Sequence, residues 1–206
     1  MNRSAFLIAA TCCWAIGGAA SARVRADNSG LALDRVLSPA VQPLVATSPA
    51  AEPGQTIPAA YTALGKNVSP PVAWESGPPG TASYVVIMED ADGPGSTPVL
   101  HWMAYNIPAT VNGLGKNVHN RATPKGSTGM MQGINYAGGV GYVGPKVLPG
   151  DPPHHYHIEV FALDRMLNIG PGASLDKLIA AMNQRVLAEG EVIGTFAVEP
   201  LKTASN

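Results

Sequence analysis

Cysteine is nearly missing from this 206-residue chain: there are two, Cys12 and Cys13, side by side near the start. Charged residues are also sparse, 13 basic against 14 acidic, and the basic ones are scattered instead of forming a stripe that could neutralise successive phosphates. A nucleic-acid partner is therefore not expected. Apolar runs are short as well. That from Ala5 to Ala20 follows Arg3 and leads into Ala20-Ser21-Ala22, a small-x-small pattern. It reads as a secretory signal peptide over 1–22 cleaved after Ala22, and it is short and rich in Ala and Gly for a membrane anchor. Lipid attachment at Cys12 competes with this reading, but Thr11 stands where a smaller residue is expected. Cleavage after Ala22 removes both cysteines, which excludes disulfides, thiol catalysis and thiolate metal sites from the mature chain. The expected location is outside the cytoplasm, periplasmic or secreted.

Glycine and proline are abundant, 23 and 19 residues. That suits short strands joined by many turns better than it suits helices. Residues 23–35 show no sustained apolar period and read as a flexible arm, followed by a single domain over 36–202. Between Leu37 and Trp74 seven prolines leave room only for short strands such as Leu44 to Thr47. Ser83 to Glu89 is a continuous apolar and β-branched run, expected to be central and buried on both faces. Leu100 to Ile107, His154 to Leu163 and Val192 to Val198 are the other strands. One helix is expected at about 174–189, with Ser174 as N-cap, Asp176 in the first turn and Gly190 closing it. The fold class is mainly β, a sandwich of packed sheets with few helices.

Titratable groups collect where strands end. Asp90 and Asp92 are two apart and face the same way in an extended segment; alone, such a cluster also fits a solvated acidic turn. His101 opens the next strand, close enough for a hairpin-like return to set it beside Asp90, which would fix its tautomer and raise its pKa. Trp102 alternates to the other face and reads as core. In His154-His155-Tyr156-His157, His154 shares a face with Tyr156, while His155 and His157 share the other and read as an outward polar face. An H-x-H pair can bind zinc, but no third ligand stands near in sequence, and no metal is expected. Gly139, Gly141 and Gly144 satisfy G-x-G-x-x-G, yet Pro145, Pro149, Pro152 and Pro153 forbid the helix a dinucleotide site requires. No catalytic nucleophile pattern occurs and no cofactor is implied.

Taken together, Asp-x-Asp-x-Pro at Asp90 to Pro94, His101-Trp102 with Asn106 to Pro108, Gly141 to Pro145, and His154 to Asp164 form an ordered set. Upstream, Ile57-Pro58, Tyr61, Asn67 to Pro71 and Trp74 extend it. In order and spacing this resembles the phosphatidylethanolamine-binding protein family, in its bacterial, Raf-kinase-inhibitor-like branch, over about Val36 to Pro200. The resemblance implies two packed antiparallel sheets with peripheral helices, and a shallow pocket for phosphate-like or carboxylate groups. That pocket transfers onto Asp90, Asp92, Pro94, His101, Gly144, Pro145, His154 and Tyr156. In it Asp90 orients His101, and backbone amides around Gly144 add donors. Ala91 and Gly93 depart from the family motif, and His155 stands where an arginine is usual. Lys146 is a candidate for the missing charge. The expected function is a non-enzymatic binding protein for an anionic small molecule or phospholipid head group. Inhibition or modulation of a partner protease or kinase is the alternative, and a hydrolase using His101 or His154 as base is more remote. Bacterial relatives imply a homodimer.

Overall fold

The computed structural model describes residues 30–200 apart from 40, 54 and 128. The leader expected over 1–22 and the greater part of the arm lie outside the described residues. Order begins earlier than expected. Leu31 to Val36 form one helical turn, α1 (Ala32–Arg35), with Ala32 and Leu33 buried. After α1 come β1 (Gln42–Pro43), β2 (Ala46–Thr47), a 3-10 turn at Ala59–Tyr61, β3 (Val72–Trp74), β4 (Ser83–Asp90) and β5 (Val99–Pro108). Then follow β6 (Gly113–Leu114), β7 (Met131–Gln132), β8 (His154–Leu163), α2 (Leu175–Met182) and β9 (Val186–Phe196).

The strands make two sheets, one ordered β1-β9-β8-β4-β5-β7 and a smaller one ordered β2-β3-β6. Apart from a parallel pairing of β1 with β9, the named strands pair antiparallel. β4 is central, and all eight of its residues are buried. Its alternate side chains serve two cores. Tyr84, Val86 and Met88 pack with Trp74, Trp102 and Tyr156 on one face; Val85 and Ile87 pack with Phe161, Leu178 and Met182 of the helical layer on the other. Each such large side chain contributes roughly 1.5–3 kcal/mol by leaving water. Trp102 is core as expected, its indole N–H donating to Gln132 Oε1 at 2.7 Å.

The helix expected to reach residue 189 stops at Met182. Asn183 takes an extended ψ of 130° and Gln184 a φ of 63°, so the chain reverses and Val186 pairs with Leu163 as the first rung of β9. Gly190 is consequently no helix cap. A Cβ there would stand 1.9 Å from the Leu44 carbonyl oxygen, and it is this close crossing of the β1 edge that requires glycine. Of the strand expected over Leu44 to Thr47, only Ala46–Thr47 forms.

Candidate functional site

Three strand ends meet at one edge of the large sheet. Asp90 closes β4 directly opposite Val99 of β5 and Tyr156 of β8. An irregularity between Met88 and Glu89 leaves His101 outside the regular ladder and turned toward the junction. His101, His154 and Tyr156 gather there as an aromatic group. The His101 ring lies edge-on to Tyr156 at 5.2 Å between centroids, His154 stacks on Tyr156 at 6.4 Å, and Tyr136 tilts over His101 at 5.0 Å.

The pairing of acid and base differs from expectation. Asp90 does not orient His101; its Oδ2 accepts from His154 Nδ1 at 2.8 Å, with both side chains largely buried. Its Oδ1 accepts the Asp92 amide at 2.9 Å, which closes the turn. His101 is fixed by a backbone oxygen: its Nδ1 lies 2.7 Å from the Val143 carbonyl, which accepts, so the proton sits on Nδ1. Both imidazoles thus engage Nδ1 and leave Nε2 without a hydrogen-bond partner among the described residues. Burial lowers the His101 pKa, overriding the Val143 carbonyl and the charge of Asp90, so the ring is neutral near pH 7. Burial and the nearby Asp90 carboxylate raise Tyr156, keeping its hydroxyl a donor. That hydroxyl meets no partner in hydrogen-bonding geometry, although Asp90 lies close.

The remaining expected residues have other roles. Asp92 is half exposed and faces His155, whose backbone amide and Nδ1 both reach its Oδ2 at 2.7 Å. Partial burial pushes its carboxyl up, but these His155 contacts outweigh that and hold it below the ordinary aspartate range. Pro94 is exposed in the turn. No amide nest forms around Gly144. Its N–H donates to Asn67 Oδ1 at 2.7 Å and that of Val143 to the His101 carbonyl, while the Pro145 carbonyl accepts from Ala63. A Cβ on Gly144 would stand 2.5 Å from the Tyr61 oxygen, so glycine here lets two loops touch. Gly144 and Pro145 therefore build the wall that carries the Val143 carbonyl. His157 is not outward: its side chain is 14% exposed and bonded to Glu191 at 2.7 Å. Lys146 is exposed. Sequence reading missed Tyr136, and it named Asn67 only within the upstream motif, without its contact to Gly144. The left-handed φ of 53° at Asn67, an asparagine-tolerant conformation, was a signal only the backbone carries. Among the described residues no three His, Cys, Asp or Glu side chains are grouped to hold a metal ion.

The family model for phosphatidylethanolamine-binding protein matches residues 47–197. A UPF0098 protein of Aquifex aeolicus is 41% identical over 144 residues, 69% of this chain and 82% of its own. LppC of Mycobacterium tuberculosis, whose name assigns it provisionally to the lipoproteins, is 32% identical over 77% of this chain and 75% of its own. The crystal structure of E. coli YbcL, described as a new member of the mammalian PEBP family, superposes with a TM-score of 0.70 at 30% identity, covering 76% of this chain and 99% of YbcL. This chain belongs to the phosphatidylethanolamine-binding protein family.

Proposed function

We propose that this is an exported, non-enzymatic binding protein whose pocket at His101, His154 and Tyr156 takes a small phosphate-like or carboxylate group. The observation that carries this reading is the pair of imidazoles held by Nδ1, on Val143 and Asp90, with neither Nε2 hydrogen-bonded among the described residues, both rings against Tyr156, whose buried hydroxyl also meets no partner there. Neutral His101 accepts from a protonated phosphate oxygen; once protonated it donates to an anion. The leader pattern over 1–22 and the name of LppC support export.

Calorimetric titration with phosphate and with phosphoethanolamine tests the reading. His101→Ala and His154→Ala should each weaken binding about tenfold or more, the scale of a hydrogen bond to a charged group. Binding should tighten from pH 8 to pH 5.5, because an anion favours protonated His101 and that protonation occurs below the ordinary histidine range. Absence of saturable binding at millimolar ligand, or binding indifferent to both substitutions, overturns it.

A second reading, inhibition or modulation of a partner protein docked on the surface beside the pocket, is favoured by Ile134 and Tyr136, 41% and 49% exposed on the loop that reaches His101. In that case a partner complex forms and phosphate does not compete with it.

A further inference from the structure

A concavity of about 490 Å³ opens at the far end of β5 from His101. Six residues of extended chain separate His101 from Ile107, about 20 Å. The two places therefore share a strand and no side chain. This one lies between the end of β5, β6 and the long loop that leads into β7.

Its lining has two chemical parts. Ile107 and Met130 are core residues, and Val111, Leu114 and Val118 pack partly buried beside them, so the floor is apolar. The ionisable groups of the lining are Lys116, His119 and Lys125, and no acidic residue accompanies them. Neither lysine makes an ion pair among the described residues. Two exposed ammonium groups beside an apolar floor repel a cation and interact more strongly with an anion than with a neutral molecule.

The walls are held in place before any ligand arrives. Asn117, at a φ of 63°, donates its amide to the Ser69 carbonyl at 2.9 Å, and the next amide, that of Val118, donates to Ser69 Oγ at 2.9 Å. Gln132 Nε2 donates to the His119 and Arg121 carbonyls at 2.8 and 2.9 Å, and Ser127 Oγ donates to the Pro124 carbonyl at 2.7 Å. A loop pinned at these points loses little conformational entropy on binding, and the volume falls in the range of small-molecule sites.

We propose that this cavity is a second binding site, for a small amphipathic anion: an alkyl carboxylate whose chain covers the apolar floor and whose head pairs with Lys116 and Lys125. The site is independent of the pocket at His101. Charge complementarity selects the head, and the apolar floor selects the chain.

Titration calorimetry of the protein with octanoate, octanol and octyltrimethylammonium tests it. Octanoate should bind saturably in the millimolar range or below, with affinity rising from butanoate to octanoate. Octanol and the ammonium amphiphile should bind at least about tenfold more weakly. The Lys116→Ala/Lys125→Ala double variant, altered only at exposed positions, should lose about tenfold or more in octanoate affinity. In His101→Ala, which removes carboxylate binding at the other end of β5, the octanoate binding that depends on chain length and on the two lysines should persist, which separates the two sites. No saturable octanoate binding overturns the proposal. So does binding that, in the His101→Ala background, survives the double lysine change or is matched by octanol, or that His101→Ala abolishes.

Discussion

Glu89 and Asp90 are neighbours in β4 with the same chemistry, yet one residue step sends them to opposite faces of the sheet and into opposite electrostatic environments. Asp90 faces the junction of strand ends, where the His154 ring and the Asp92 amide supply two donors. Glu89 faces the helical layer. One of its oxygens accepts the Ala32 amide at 2.7 Å, and the other is buried without a partner. Glu159, diagonal to it on β8, repeats the arrangement with the Leu33 amide at 3.0 Å. The difference teaches that burial with a single hydrogen-bond donor drives a carboxyl toward its protonated form, as it does for the two glutamates. Burial raises Glu89 to about 7 despite the Ala32 amide, Arg35 and His157. Burial, then the charges of Glu89 and Glu191, raise Glu159 well above the ordinary glutamate range.

The largest effect is expected from removing the buried acceptor altogether. Glu159→Ala removes the carboxyl that accepts from the Leu33 amide and opens a cavity beside α1, which should cost on the order of 3 kcal/mol. Glu159→Gln keeps an acceptor and removes the titration, and should cost much less. Urea denaturation of both variants measures this, with hydrogen exchange at Leu33 reporting whether α1 comes loose first. If the two variants lost equal stability, the ionised form would be the one that holds α1, and the contrast with Asp90 would fall.

The next effect concerns pH and has a definite sign. Glu89 binds its proton more tightly folded than unfolded, so its contribution is fully present below the ordinary glutamate pKa and is lost as pH rises through about 7. Glu159 adds in the same direction. Raising the pH from 5 to 8 should therefore cost wild type on the order of 2–3 kcal/mol more than it costs Glu89→Gln. His101 titrates the other way, since burial depresses its pKa and its protonation opposes folding as pH falls, so the comparison between the two proteins isolates the carboxyl. Parallel stability profiles for wild type and variant would show that Glu89 is ionised in the native state.

Much of this architecture was legible in the chain. The unbroken apolar run of β4 announced a strand between two layers, and the alternation of β8 put His154 and Tyr156 on one face; both follow from side-chain period alone. The motifs around Asp90, His101, Gly144 and His154 named residues that do converge or build the wall beside them. What was not legible depended on contacts distant in sequence. Val186 and Leu187 fit helical spacing, and only the pairing of Val186 with Leu163 makes them strand. The burial of Glu89 followed from its place at the end of the β4 run, but nothing local shows that α1, 57 residues upstream, covers it and donates an amide to it. Asp90 was paired with the wrong histidine for the same reason. A hairpin return brings His101 near, but the register of β8 brings His154 into hydrogen-bonding range and a loop carbonyl claims His101 first.

The smallest effect tests the exposed end of the comparison. Asp92 accepts both the amide and the ring N–H of His155, ties the turn after β4 to the start of β8, and is 45% exposed, so solvent screens much of what these contacts gain. Asp92→Ala should cost no more than about 0.5–1 kcal/mol near pH 7. The sign of its pH dependence is opposite to that of Glu89. A carboxyl held below its ordinary pKa contributes stability above that pKa and loses it as pH falls, so the deficit of Asp92→Ala should shrink toward pH 3 while that of Glu159→Ala persists. Thermal melts of the two variants at pH 7 and pH 3 measure it. A deficit for Asp92→Ala that stays constant down to pH 3 would mean that the His155 contacts act through geometry alone, leaving charge on the open side of β4 as irrelevant to stability as it is costly on the closed side.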